Sequence, residues 1–302
     1  MHVLAIHGGA GVVLNRISPG RFGEYEVSLG RILDSGFDIL EQGGSSLDAV
    51  TVAVRMLEDD PLFNAGRGAA LTSEGTAELD AAIMDGRDER AGAVAAVQHV
   101  RNPVELARYV LEKSPHVLLV GSGAEELALR GGIMLVPNEY FRTSERARQL
   151  ESEKRGERGG DVVAAPQGTV GAVALDAMGN LAAATSTGGI TNKHLGRVGD
   201  SPIVGAGTYA RNGVCAVSGT GQGEYFIRAV AAHHIAAAVE YRGLALEDAV
   251  HELVHRVLPR LGGLGGVIAI GADGEVAMDF NTEGMFRGAR DSAGRRTVAI
   301  TR

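Results

Sequence analysis

Chemistry in this sequence could begin at one dipeptide, Gly168-Thr169, inside "VVAAPQGTVGAVALD". A Thr hydroxyl is a poor nucleophile until a base comes close. If the peptide bond before Thr169 were cut, the residue's own α-amino group would be free. With a pKa of about 8, much of that amine is neutral around neutral pH. It could then take the hydroxyl proton, directly or through one water. One residue would supply both nucleophile and base. The cut can be autocatalytic: the hydroxyl attacks the Gly168 carbonyl, and water hydrolyses the resulting ester. Gly168 suits this because, lacking a side chain, it tolerates a strained peptide. Taken alone, however, the pair reads as an ordinary strand start after a linker, since Thr favours strands.

Two other motifs compete. "HELVH", His251 to His255, is H-E-x-x-H, which on a helix can bind zinc through both His with Glu252 as base. Glu275 follows at a distance suited to a third ligand, so a zinc metalloprotease is the alternative of a different class. Yet Leu246, Ala249, Val250, Leu253, Val254, Val257 and Leu258 form one apolar stripe. At helical spacing this leaves His251 and His255 on the opposite, solvent-facing side, where a protease cleft is not expected. "HVLLVGSGAEELALRGG" has strand, G-x-G and helix, but Glu126 stands where a dinucleotide fingerprint needs a third small residue. It reads as a strand-to-helix turn. "HGGAG" and "LGGLGG" lack the Lys-Ser/Thr of a phosphate loop.

The elements around these residues follow from periodicity. "HVLAI" reads as a short buried strand ending in the turn "HGGAG". Glu24–Gln42 has helical apolar spacing, and Ser46 is placed to cap the next helix, "LDAVTVAVRMLEDD". "AELDAAIMDG" and "AGAVAAVQHV" read as paired strands. "NPVELARYVLEKS" reads as a helix, "HVLLV" as a strand and "AEELALRGG" as a helix. "RTSERARQLESEKRGERGGD" is dense in charge and predicts a helix end running into a solvated, mobile linker over about 150–167. "TVGAVALD–AMGN–LAAATST" and "GGVIAIG–ADGE–VAMDFN" read as strand–turn–strand units. The helices "EYFIRAVAAHHIAAAVEY" and "LEDAVHELVHRVLP" lie between them. Helices layered over mixed or antiparallel sheet are the expected architecture.

Composition narrows the partners. The 302 residues carry a net charge of −8, giving no electrostatic support for nucleic-acid binding. A single cysteine, Cys215, suggests a reducing compartment. Neither a leader nor a membrane-spanning stretch is read, so a cytoplasmic location is expected.

The second half then becomes specific. "GTVGAVALD", "ATSTGGITNKHLGRVGDSPIVGAGTYA" and "VSGTGQGEYFIR" resemble the plant-type L-asparaginase/isoaspartyl peptidase family of N-terminal nucleophile hydrolases. "IHGGAG", "LEDDPLFNAGRGA", "ELDAAIMDG" and "NEYFRTSERARQLE" extend the resemblance in order along nearly the whole chain.

The resemblance implies an α+β fold, a four-layer αββα sandwich. It implies a single domain over 1–302 that cuts itself between Gly168 and Thr169 into an α chain (1–168) and a β chain (169–302). Thr169 matches the nucleophile and Thr187 the Thr that holds it in place. Thr220 and Gly221 match the oxyanion hole, two donors of the kind acyl transfer needs. Arg197 and Asp200 match the residues that hold a substrate's α-carboxylate and α-ammonium. Arg can grip a carboxylate with two parallel bonds, and Asp accepts from an ammonium. Val198, Gly199, Gln222 and Gly223 fall in the same substrate-binding segments, and Asn64 matches a residue near the nucleophile. The loop Leu57–Arg67 resembles one that binds a structural sodium ion through carbonyls, here those of Leu57, Glu58, Asp60, Phe63, Ala65 and Arg67. No cofactor is implied for catalysis. The implied substrates are L-asparagine and β-aspartyl dipeptides, and the implied assembly is a dimer of αβ heterodimers. A glycosylasparaginase-type amidase is the nearest alternative. Gln222 and Gln167 stand at variable positions and leave substrate preference and cleavage rate open. Ala82 stands where a Ser is common.

Overall fold

The chain was analysed as a computed structural model, which describes residues 1–11, 19–156 and 168–301. Its centre is a set of runs that are apolar at consecutive positions, not alternate ones. β1 (Val3–Ala10), β5 (Val170–Leu175) and β6 (Leu181–Thr187) are buried at every residue. A strand with such a pattern must be covered on both faces.

They lie side by side in an eight-stranded sheet. Its order is β12 (Arg296–Ala299), β11 (Met285–Asp291), β1, β5, β6, β2 (Leu79–Asp85), β3 (Ala91–Val97) and β4 (Leu118–Val120). All neighbours are antiparallel except β3 and β4. A second sheet has the order β10 (Val276–Phe280), β9 (Gly265–Gly271), β8 (Cys215–Gly221) and β7 (Thr208–Arg211), antiparallel throughout.

The alternation of side chains along β5 shows what covers it. Val170, Ala172 and Ala174 join an apolar cluster with residues of α1 (Pro19–Glu41) and α2 (Ser46–Asp59), such as Leu29, Ile32, Val50 and Val54. Val173 and Leu175 join another with Val217 of β8 and Ile268 of β9. That second cluster also takes Ile235 of α7 (Ala231–Arg242) and Val250 of α8 (Leu246–Glu252). The fold is thus mixed α+β. α3 (Pro103–Lys113) and α4 (Gly121–Arg130) pack toward the β3 side, and α5 (Ser144–Lys154) follows. Among the described residues, no helix is long and apolar enough to cross a membrane.

Several expectations need correction. "HGGAG" is not a turn. β1 runs on through Ala10, with a register irregularity between His7 and Gly9 that re-aims the strand end. Ser45, not Ser46, caps α2: its hydroxyl accepts from Asp48 N–H at 3.1 Å. "EYFIRAVAAHHIAAAVEY" is two helices, α6 (Gly223–Ala229) and α7, because Val230 between them takes a left-handed backbone at φ 48°. The first residues of the expected linker belong to the end of α5 and the turn after it. Residues 157–167, including Gln167, lie outside the described residues. Periodicity alone does not announce the strands β7, β8, β11 and β12.

Candidate active site

Thr169 sits immediately before β5, at the centre of the large sheet, and is buried. Four elements bring polar groups to it. The β5–β6 register pairs Val170 with Ser186, so Thr187 at the end of β6 stands opposite Thr169. β1 carries His7 and Gly9 alongside. β8 of the small sheet ends at Thr220 and Gly221. The loop after β6 brings in Arg197, Asp200 and Ser201.

The contacts are specific. Thr169 N–H donates to Thr220 Oγ1 at 3.2 Å, and Ala10 N–H donates to the same oxygen at 3.2 Å. Both lone pairs of the Thr220 hydroxyl are therefore engaged, which leaves its single proton to be given elsewhere. Ser201 Oγ lies 3.4 Å from Thr169 Oγ1. Thr187 Oγ1 accepts from Gly189 N–H at 3.0 Å. Asn64 braces the same turn: its amide donates to the Gly189 carbonyl at 2.7 Å and its carbonyl accepts from Ala70 N–H at 2.7 Å. Asn64 thus positions the turn around Thr187 and the glycines after it.

Glycine is needed where backbones nearly touch. A Cβ on Gly9 would lie 2.6 Å from Gly168 Cα. Side chains at either position would force apart the two segments that flank Thr169. A Cβ on Gly221 would likewise lie 2.6 Å from Gly265 Cα.

Asp200 is buried, and its Oδ2 has no hydrogen-bond partner among the described residues. Its walls are glycines: a Cβ on Gly207 would come within 2.8 Å of Oδ2, and one on Gly223 within 2.9 Å of Oδ1. Burial pushes its carboxyl up to about 7, against the opposing pull of its own backbone amide and of Arg197. A buried, unpartnered carboxylate is costly unless something cationic arrives. This fits the expected grip on an ammonium. Gly199 packs against the Arg197 guanidinium: a Cβ there would meet Nη1 at 3.0 Å.

Arg197 forks onto Glu224, with Nε to Oε1 at 3.0 Å and Nη2 to both oxygens at 2.9 and 3.0 Å. The carboxylate on Arg197 here is the protein's own. The guanidinium is 15% exposed while the Glu224 side chain is 55% exposed. The cleft beside them is lined by Ile190, Thr191, Gln222, Glu224, Tyr225 and Arg228. Gln222 does not reach across it, because its Oε1 accepts from Leu264 N–H at 3.0 Å.

Beneath the site runs a chain of buried hydroxyls. His7 Nε2 meets Ser218 Oγ at 2.8 Å, which meets Thr185 Oγ1 at 2.8 Å. Thr208 Oγ1 lies 2.7 Å from Thr185 Oγ1 and 3.1 Å from the carbonyl of Ser201. Burial drives the His7 imidazole down to about 3, so it is neutral at any working pH; the Thr169 main chain beside it opposes this weakly. His7, Ser201 and Glu224 lie inside the quoted motifs, but no local pattern assigns them a role; contacts with distant segments do.

The loop expected to hold sodium offers carbonyl oxygens, the donor type a hard cation takes. A Cβ on Gly68 would lie 2.7 Å from the carbonyl of Phe63, one of the expected ligands, and 2.7 Å from that of Pro61, which is not one of them. The loop is also braced internally, Arg67 N–H donating to the Glu58 carbonyl at 2.7 Å.

The "HELVH" pair lies elsewhere and corrects an expectation. His251 and His255 do not simply face solvent: both turn onto Asp279 of β10. Glu275 is not in that group. Glu252, the base of a metalloprotease reading, is held by Nη1 and Nη2 of Arg242 at 2.7 and 2.9 Å.

Residues 1–300 match the asparaginase family. The chain belongs to that family. It is 55% identical over 293 residues to the "Isoaspartyl peptidase" of Salmonella typhimurium, covering 94% of each chain. It is 43% identical over 323 residues to the "Probable isoaspartyl peptidase/L-asparaginase 2" of Arabidopsis thaliana, covering 98% of each. To the human "Isoaspartyl peptidase/L-asparaginase" it is 44% identical over 292 residues, covering 96% of this chain and 93% of that one. The asparaginase-family match runs through both sheets, so it includes every residue placed around Thr169.

Proposed function

We propose that this chain is a hydrolase of L-asparagine and β-aspartyl dipeptides that uses Thr169 as an N-terminal nucleophile. The names of its relatives support the reaction class. The observation that carries the residue assignment is the company of Thr169: the Thr220 hydroxyl on its nitrogen, Ser201 on its oxygen, and the unpartnered carboxylate of Asp200 next in the chain to Ser201.

The layers described above are then those of an αββα N-terminal nucleophile hydrolase. A cut between Gly168 and Thr169 frees the amine and leaves an α chain, 1–168, and a β chain, 169–302. Asp200 accepts from the substrate ammonium, and Arg197 turns its guanidinium to the α-carboxylate. The amine takes the proton of Thr169 Oγ1, which attacks the side-chain carbonyl carbon. The oxyanion accepts hydrogen bonds from the Thr220 hydroxyl and from Gly221 N–H. Collapse expels ammonia, or an amino acid, which takes the proton from the ammonium of Thr169. Water then cleaves the β-aspartyl ester and aspartate leaves.

A sodium ion held by carbonyls of Leu57, Glu58, Asp60, Phe63, Ala65 and Arg67 would stiffen the loop that carries Asn64. A dimer of αβ units in the cytoplasm completes the proposal. Incubating purified protein with asparagine and with β-aspartyl dipeptides, and following aspartate release, tests the activity. Release from neither substrate by fully cut protein would overturn it.

A further inference from the structure

The "HELVH" segment has no part in the chemistry above, yet it is the most ligand-like group outside the site. His251 Nδ1 lies 3.2 Å from Asp279 Oδ2, and His255 Nε2 lies 2.9 and 3.0 Å from the two oxygens. The two imidazoles are 4.4 Å apart between centroids, tilted by 35°. Each residue offers one ligand atom, and the three atoms lie within 4.8 Å of one another. We propose that His251, His255 and Asp279 form a binding site for one divalent ion of the zinc class.

Around a tetrahedral zinc with ligands at about 2.1 Å, neighbouring donor atoms stand about 3.4 Å apart. The separations from each His nitrogen to Asp279 are already close to that, and the two imidazole nitrogens, within 4.8 Å of each other, need rotate only until they too stand at that spacing. Two imidazoles and one carboxylate suit zinc, cobalt, nickel or copper; calcium and magnesium prefer oxygen alone.

The site is also built. The helix widens to a π turn over Leu253–Val257, where Leu258 N–H reaches back five residues to the Leu253 carbonyl. Pro259 explains the widening: it has no N–H for the His255 carbonyl, and its ring would clash there in a regular helix. The Val254 carbonyl, released from its α-helical partner, accepts from Asn281 Nδ2 at 2.9 Å. Asn281 stands two residues after Asp279 and also holds Gly265 N–H at 2.8 Å. The turn bearing His255, directly continuous with the α8 residue His251, is thereby pinned to the strand end bearing the carboxylate, which is the preorganisation a metal site needs.

The fourth position faces water, since the His251 side chain is 61% exposed. Arg287, packed over Phe280 at 5.0 Å, feels Asp279 electrostatically and is a cation that would compete with the ion. With Glu252 held by Arg242, the ion has no base beside it. The site therefore ties the outer helix to the edge strand β10 and does not hydrolyse peptides.

The test uses full-length protein without a polyhistidine tag, dialysed against micromolar ZnCl2 and then analysed for metal. The expected result is one zinc per chain above that retained by Asp279→Asn and by His255→Gln, with at least about a tenfold loss of affinity in each. Zinc should raise the melting temperature of the wild type but not of the variants, and magnesium should not. Cobalt in place of zinc should give a visible d–d spectrum that His251→Ala, at the most exposed ligand, removes. Unchanged asparagine hydrolysis by the variants shows that they are folded. The proposal is overturned if wild type and folded variants retain the same zinc, or if magnesium stabilises as zinc does.

Discussion

Thr169 N–H and Thr220 Oγ1 meet at 3.2 Å, and through them the start of β5 in the large sheet meets the end of β8 in the small one. Because Ala10 N–H takes the other lone pair of Thr220, the hydroxyl proton is aimed at whatever acceptor forms beside Thr169. Removing that hydroxyl with Thr220→Val should cost about 10²–10³ in kcat, the range seen for a lost oxyanion donor. KM should change little, and Thr220→Ser should recover most of the loss. Steady-state kinetics on asparagine decide it; an unchanged kcat in Thr220→Val removes Thr220 from the transition state.

Asp200 gives a pH signature. Its free carboxyl titrates at about 7, and the substrate ammonium needs it ionised. The Thr169 amine, with a pKa of about 8, must also be neutral. kcat/KM reports the free enzyme, so its logarithm should fall with a slope approaching two below pH 7. In the complex the ammonium holds Asp200 ionised, so log kcat should fall with a slope of one. Equal slopes in the two profiles would separate Asp200 from binding.

Arg197 and Glu224 form a fork in which geometry matters more than charge. Arg197→Lys keeps the charge but loses the planar pair of donors. KM should rise about 10- to 100-fold with a small change in kcat, as for an interaction made alike in ground and transition states. Glu224→Gln, which loosens the guanidinium without removing it, should raise KM by less. If Arg197→Lys lowers kcat while KM stays constant, the carboxylate grip lies elsewhere.

His7 makes the fold acid-sensitive. Its imidazole titrates at about 3 in the folded protein and 6.5 otherwise, so between those values the unfolded chain binds more protons. Stability is fully present above pH 6.5 and is lost as pH falls toward 3, by a few kcal/mol at most. Asp200 works in the opposite sense, because its folded carboxyl is raised and favours low pH. Urea unfolding from pH 3.5 to 7 should therefore be compared between wild type and His7→Gln. The variant should show a flatter acid limb, and identical limbs would contradict the assignment.

What the sequence made legible follows from physics that is local. The β5 run and the first four residues of β6 are apolar at consecutive positions because both faces are covered, and that shows in the sequence as an unbroken string. Thr169, Arg197 and Asp200 sit in Gly-rich motifs because backbones crowd there, as Gly9 against Gly168 and Gly207 against Asp200 show. β8 escapes because its apolar run, "VCAV", is only four residues long before it passes into the small residues the site requires. The break at Val230 carries no Gly or Pro to announce it. Ser201 and Glu224 become site residues only through contacts across 32 and 27 positions. The two His of "HELVH" were read as solvent-facing because the apolar stripe fixes a helix face, not what a strand 24 residues on brings up to it.

The central claim is that Thr169 becomes a chain terminus and then acts as nucleophile. Intact mass spectrometry of wild type and Thr169→Ala after prolonged incubation tests it most directly. The wild type should resolve into fragments Met1–Gly168 and Thr169–Arg302, while Thr169→Ala should keep one chain of 302 residues. A wild type that hydrolyses asparagine while remaining intact, or a Thr169→Ala chain cut at the same bond, would contradict it.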